Sequence, residues 1–199
     1  MSDLAAHPDT LPYGAVEKRG VGWWGALTLI GTEAALFGYL LFAYAYTALQ
    51  IGPAFLPAKA PDLALAIPNT VILLASSVVV WWGEKAIKAG RAGRLIGAFA
   101  LAFVMGAVFV GIQLKEWRGK EFTIQSSPYG SFYYTITGFH MAHVLAGLLG
   151  LLAIVVWASR GYFDRRRNVA VSIAAVYWHF VDVVWLLVFT AFYLAPRLG

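Results

Sequence analysis

Residues 169–195 read VAVSIAAVYWHFVDVVWLLVFTAFYLA. The run stays apolar for roughly two dozen residues, enough to cross about 30 Å of hydrocarbon as a helix. His179 and Asp182 interrupt it near the middle. They stand at i and i+3, so a helix places them on one face. A charged group at mid-bilayer costs roughly 2.5–3.5 kcal/mol on insertion scales, so such side chains turn into the protein and pair. The stretch therefore predicts a membrane helix with a polar inner face, and a bundle around it.

Composition agrees. The chain is 60% hydrophobic and 13% charged, with a mean hydropathy of +0.70. A soluble domain carries about 25% charged residues. The absence of cysteine excludes disulfides, thiolate metal ligands and iron–sulfur ligation. The net charge of +5 does not point to nucleic acid, because the basic residues sit in short loops between apolar segments. The tail, residues 1–22, has no apolar core, so the first apolar segment is expected to serve as the insertion signal instead of a cleaved leader.

Four more apolar segments complete a predicted all-α, five-helix transmembrane bundle. The five run over Trp23–Leu49, Ala66–Gly83, Leu95–Leu114, Phe132–Ala158 and Val169–Ala195. Pro68 is expected in the first turn of the second, where its missing N–H costs nothing. No internal repeat or linker divides residues 23–199, so they read as one domain after the 1–22 tail. The N-terminal tail and the second–third and fourth–fifth loops hold Lys18, Arg19, Lys85, Lys88, Arg91, Arg94, Arg160 and Arg165 to Arg167, ten cations in all. The other side holds five: Lys59, Lys115, Arg118, Lys120 and Arg197. The positive-inside rule puts the N-terminus in the cytoplasm and the C-terminus in the periplasm.

The polar residues within the segments are the candidate functional groups. Glu33 lies about ten residues, or about 15 Å, into the first helix. Its carboxyl reads either as a proton-relay or lipid-contacting group or as an interhelical hydrogen-bonding one, and intramembrane acids favour the former. His140 and His143 share a face of the fourth helix. His140 and His179 both fall near the midplane, a depth that permits two axial ligands to a haem. Bridging between helices, or to Asp182, is the favoured reading for these histidines. No spacing suits a copper or zinc site, which needs three or four converging ligands. Asn69 and Thr70 are expected to satisfy free backbone donors at the outer start of the second helix. Glu116 with Lys115 and Arg118 reads as an interfacial charge cluster. Anionic lipid headgroups are natural partners for Arg160 and the run Arg165 to Arg167.

Four motifs in order then carry a resemblance. Asn69-Thr70-Val71-Ile72-Leu73-Leu74-Ala75-Ser76-Ser77 is similar to an "NTxxLLxSS" segment, and Gly111-Ile112-Gln113-Leu114-Lys115-Glu116-Trp117 to a "GxxFxxxQxxEW" end. Tyr129-Gly130-Ser131, leading to Gly138-Phe139-His140-Met141-Ala142-His143-Val144, resembles a "YGS…GFHGxHV" helix. Tyr177-Trp178-His179-Phe180-Val181-Asp182-Val183-Val184-Trp185 resembles the signature helix of subunit III of the haem–copper oxidases. With five helices, the chain resembles the short bacterial form of that family.

The resemblance implies a non-catalytic subunit without haem or copper of its own, those cofactors belonging to partner subunits. It implies packing against oxidase subunits I and II, with subunit IV a further candidate partner, and bound phospholipid in a cleft between helices. It implies support of proton uptake and protection from turnover-dependent inactivation, with cytochrome c or quinol reached through the complex, in a bacterial inner membrane. Glu33 matches the family's buried glutamate beside the lipid cleft, and Arg160 a lipid-phosphate arginine. His140, His143, His179 and Asp182 match motif positions read as an interhelical polar set. The family's usual Ser-Glu before paired phenylalanines is here Thr32-Glu33-Ala34-Ala35-Leu36-Phe37. Glu84-Lys85 replaces a frequent histidine pair, and Ser172 a frequent glutamate. These departures leave open a quinol oxidase or nitric oxide reductase as the parent complex. A haem-carrying cytochrome and a small transporter are the rival classes; the latter lacks the inverted repeat and broken helices common among transporters.

Overall fold

The computed structural model describes residues 20–57 and 61–197. The tail up to residue 19, with Lys18 and Arg19, and Lys59 lie outside the described residues. Five helices carry the chain: α1 Val21–Ile51, α2 Leu63–Lys88, α3 Ala92–Arg118, α4 Pro128–Ser159 and α5 Val169–Phe189. A π-helical turn, Thr190–Leu194, continues α5. No strand occurs among the described residues. All five helices are long and apolar enough to cross a membrane. The longest, α4 with 32 residues, spans about 48 Å at 1.5 Å per residue and so exceeds the hydrocarbon.

The helices extend beyond the apolar segments because polar residues cap them. Asp62 accepts the Ala64 N–H at 2.9 Å and starts α2 three residues before the apolar run. Ser127 accepts the Gly130 N–H at 3.1 Å and starts α4 at Pro128. At the opposite ends, α2 and α4 close alike. Gly90 (φ 75°) and Gly161 (φ 78°) take the left-handed conformation. The next N–H reaches back five residues, Arg91 to the Ala86 carbonyl and Tyr162 to that of Trp157. Pro68 therefore lies inside α2, not in its first turn. A membrane helix tolerates this where neighbours satisfy the backbone.

Helices α2 to α5 form an antiparallel four-helix bundle, with α2 also packed against α5. Its hub is Trp178 of α5, fully buried. A Cβ on Gly106 of α3 would sit 2.7 Å from the indole, and one on Gly147 of α4 2.8 Å from it. The indole N–H donates to Ser76 of α2 at 2.9 Å. One side chain thus touches three other helices, and two of them approach it only as glycine. Helix α1 lies outside, packed lightly on α4 and α5, with only Phe37 and Tyr44 buried along it.

Candidate functional site

Glu33 and His143 meet across α1 and α4. Glu33 Oε2 lies 3.0 Å from His143 Nε2, with side-chain exposures of 27% and 15%. His143 Nδ1 lies 2.7 Å from the Phe139 carbonyl. A carbonyl only accepts, so Nδ1 carries a proton. A neutral imidazole then accepts from a carboxylic acid, or an imidazolium donates to a carboxylate. In both arrangements the two side chains hold one proton between them. Phe37, one turn on from Glu33, meets the His143 ring edge-on at 5.1 Å. The Tyr177 hydroxyl donates to the His143 carbonyl at 3.3 Å, so α5 braces the same spot.

A second polar seam joins α2 to α5. The Trp185 indole donates to Thr70 Oγ1 at 2.9 Å, and His179 Nδ1 lies 2.9 Å from Ser77 Oγ. With Trp178 and Ser76, three contacts line up along the two helices. Asn69, on the same helix, donates to the Phe109 carbonyl of α3 at 3.3 Å. Asn69 and Thr70 therefore do not cap α2 as expected; the earlier start at Asp62 carries them into the core, where they cross-link helices. Asp182 is 4% exposed. Neither of its carboxyl oxygens has a hydrogen-bond partner among the described residues.

His140 behaves differently from its neighbour three residues on. Its ring stacks on Trp185 at 5.0 Å and meets Phe109 edge-on at 5.9 Å, with 1% exposure. Aromatic rings enclose it, whereas an axial haem ligand presents a nitrogen to an open porphyrin-sized slot. The geometry thus separates His140, His143 and His179: one is ringed by aromatics and two have polar partners on different helices. Among the described residues no three histidine or acidic side chains converge as a metal site would need.

At the other end of the bundle, Glu116 turns inward and leaves Lys115 and Arg118 aside. Its Oε1 accepts from Lys120 Nζ at 2.7 Å and from the Tyr193 hydroxyl at 2.8 Å, and Tyr193 in turn lies 3.0 Å from Tyr133. The expected interfacial charge cluster is instead a buried ion pair of Glu116 with Lys120. Lys120 stands four residues on from Glu116, a spacing the sequence shows, whereas it carries no signal for Tyr193, 77 residues away. Tyr44 was also missed. It packs on Phe55, Tyr129, Phe132 and Phe192, and donates to the Ala191 carbonyl at 3.1 Å. Its helical spacing from Glu33 and Phe37, one stripe of α1, was the available clue.

Arg160 closes α4 and is exposed. In the following loop Asp164 gathers the basic run. It accepts the backbone N–H groups of Arg167 and Arg166 at 2.8 and 2.7 Å and the Arg167 side chain at 3.0 Å. These donors hold its carboxyl below the usual carboxylate range.

The sequence is similar to those of known proteins. Residues 14–196 match the family model described as cytochrome c oxidase subunit III. A protein of Thermostichus vulcanus named cytochrome c oxidase subunit 3 is 35% identical over 177 residues, covering 87% of each chain. One of that name from Synechocystis sp. is 36% identical over 178 residues, 81% of this chain and 76% of its own. One from Triticum aestivum is 34% identical, over 85% of this chain and 67% of its own. The chain belongs to the cytochrome c oxidase subunit III family.

Proposed function

We propose that this chain is a non-catalytic accessory subunit of a bacterial haem–copper terminal oxidase. It packs against subunits I and II, which hold the haem and copper. The relatives' shared name, cytochrome c oxidase subunit 3, favours cytochrome c over quinol as the electron donor of the complex. In this reading residues 1–22 form a cytoplasmic tail, residues 23–199 the membrane domain, and the C-terminus faces the periplasm of an inner membrane.

One observation carries the mechanism: a proton-sharing pair, Glu33 and His143, bridges the bundle and a helix that is otherwise mostly uncovered. Large apolar side chains of α1 such as Tyr39, Phe42 and Leu49 are exposed. This exposed flank of α1 suits phospholipid chains, with Arg160 at the headgroup level for a phosphate. The pair holds a proton at mid-membrane beside that lipid and so supports proton uptake into subunit I. His140, His179 and Asp182 keep the helices that present it in register.

Glu33→Ala tests this in the intact oxidase. Initial oxygen consumption should stay near wild type, while activity falls faster with turnover. Immediate loss of turnover would place Glu33 on an obligatory path and end the accessory reading.

A further inference from the structure

The corner where α2 turns into α3 carries a concavity of about 200 Å³, lined by Trp82, Lys85, Ala86, Ala89, Arg91 and Arg94. Three of these six residues are cations and none is acidic. Glu84, the neighbouring acid among the described residues, is already engaged: it accepts from Lys88 of its own helix and from Ser172 of α5 at 2.7 Å. No carboxylate of a described residue pairs with Lys85, Arg91 or Arg94. Lys85 instead lies over the Trp81 ring at 3.6 Å. Compare the next loop on the same side, where Asp164 takes up Arg167. Three cations that no acid of the described residues neutralises repel one another around the hollow, and an anion relieves that repulsion.

Position and chemistry select the anion. The hollow sits at the ends of two helices long enough to cross a membrane, which places it at headgroup depth. Trp82, 52% exposed, forms its membrane-side wall, and indoles settle at that boundary. Guanidinium groups match phosphate oxygens in a fixed fork. Basic pockets between membrane helices suit anionic headgroups.

We propose that this corner binds the phosphate of an anionic phospholipid headgroup, with Arg91 and Arg94 on the phosphate, Lys85 adding charge and Trp82 against the upper acyl chains. Among the described residues the site is lined by α2, α3 and the turn between them, apart from Glu33, His143 and Arg160. It requires the chain to span a membrane and does not depend on the oxidase reading.

The test uses the chain in its native membrane complex, cleared of loosely held lipid and returned to nanodiscs of phosphatidylcholine doped with phosphatidylglycerol. Native mass spectrometry counts the lipids retained. The wild type should retain phosphatidylglycerol over phosphatidylcholine. R91Q/R94Q should lower that retention on the order of tenfold, since each basic residue near an anionic surface contributes appreciably. R91K/R94K, which keeps the charge, should restore most of it. Millimolar inorganic phosphate should not displace the lipid. Unchanged retention in R91Q/R94Q, equal retention of the neutral lipid, or displacement by free phosphate would each overturn the proposal. An unchanged melting point of R91Q/R94Q separates lost binding from lost folding. Glu33→Ala should leave this retention unaltered, so the two readings fail separately.

Discussion

Helix α1 and the bundle of α2 to α5 are both built from apolar membrane helices, yet they are held in different ways. The bundle is stitched along its length. Thr70, Ser76 and Ser77 of α2 meet Trp185, Trp178 and His179 of α5, and Gly106 and Gly147 admit the Trp178 indole. Helix α1 is pinned at Glu33, which meets His143 near its middle, and at Tyr44, in an aromatic cluster towards its far end. In lipid, apolar surface gains little by leaving the solvent, so close packing and hydrogen bonds decide which helices stay together. The bundle has both throughout. Helix α1 has them at points, which leaves its flanks open to lipid or to another chain.

The largest expected effect breaks the bundle side of this contrast. Trp178→Ala removes a fully buried side chain that touches α2, α3 and α4 together and leaves Ser76 without its donor. Truncating a buried tryptophan costs about 3–5 kcal/mol. The melting temperature of the chain in detergent should fall steeply, and association with the oxidase should fail. A variant that melts like the wild type would show that the hub is not where the bundle holds together.

Tyr44→Ala attacks the outer pin of α1. It empties the space between Phe55, Phe132, Tyr129 and Phe192 and removes the bond to the Ala191 carbonyl. With little hydrophobic transfer to lose in lipid, the cost should be about 2 kcal/mol, mostly packing. Melting of the bundle should barely change, while spin-label distances between the C-terminal end of α1 and the N-terminal end of α4 broaden. Broadening within the bundle instead would mean that α1 is an integral part of it.

The sequence revealed depth more readily than direction. The five helices, and the burial of Asp182 and His140, were legible because hydropathy and residue count set how far a group lies from a helix end. Which helix each group faces depends on rotation about the axis and on tilt, and a single segment does not encode these. His140 and His143 share a face by spacing, yet one meets Trp185 and the other Glu33. Asn69 and Thr70 were misjudged for a simpler reason. Asp62, two residues before Ala64, caps the helix earlier than the apolar run begins, which places both residues about two turns inside it. Glu116 was misjudged because its partner Tyr193 arrives on the π-helical turn after α5. The hydropathy pattern marks neither the turn nor the direction in which it aims the phenol.

The smallest expected effect sharpens the contrast from the side of α1. His143→Phe keeps an aromatic ring against Phe37, which lies 5.1 Å away, and deletes the bond to Glu33. Polar contacts between membrane helices average about 0.6 kcal/mol, so global stability should change by less than about 1 kcal/mol. The proton shared by the pair disappears as well, because phenylalanine neither donates nor accepts. His143→Phe should therefore match Glu33→Ala in turnover-dependent loss of activity, while leaving α1 more firmly seated than Tyr44→Ala does. A His143→Phe oxidase that keeps its activity through prolonged turnover, with α1 loosened, would make the pair a mechanical pin alone. Functional loss with α1 in place would assign the pair to the proton. The comparison thus separates what holds α1 from what α1 is held for.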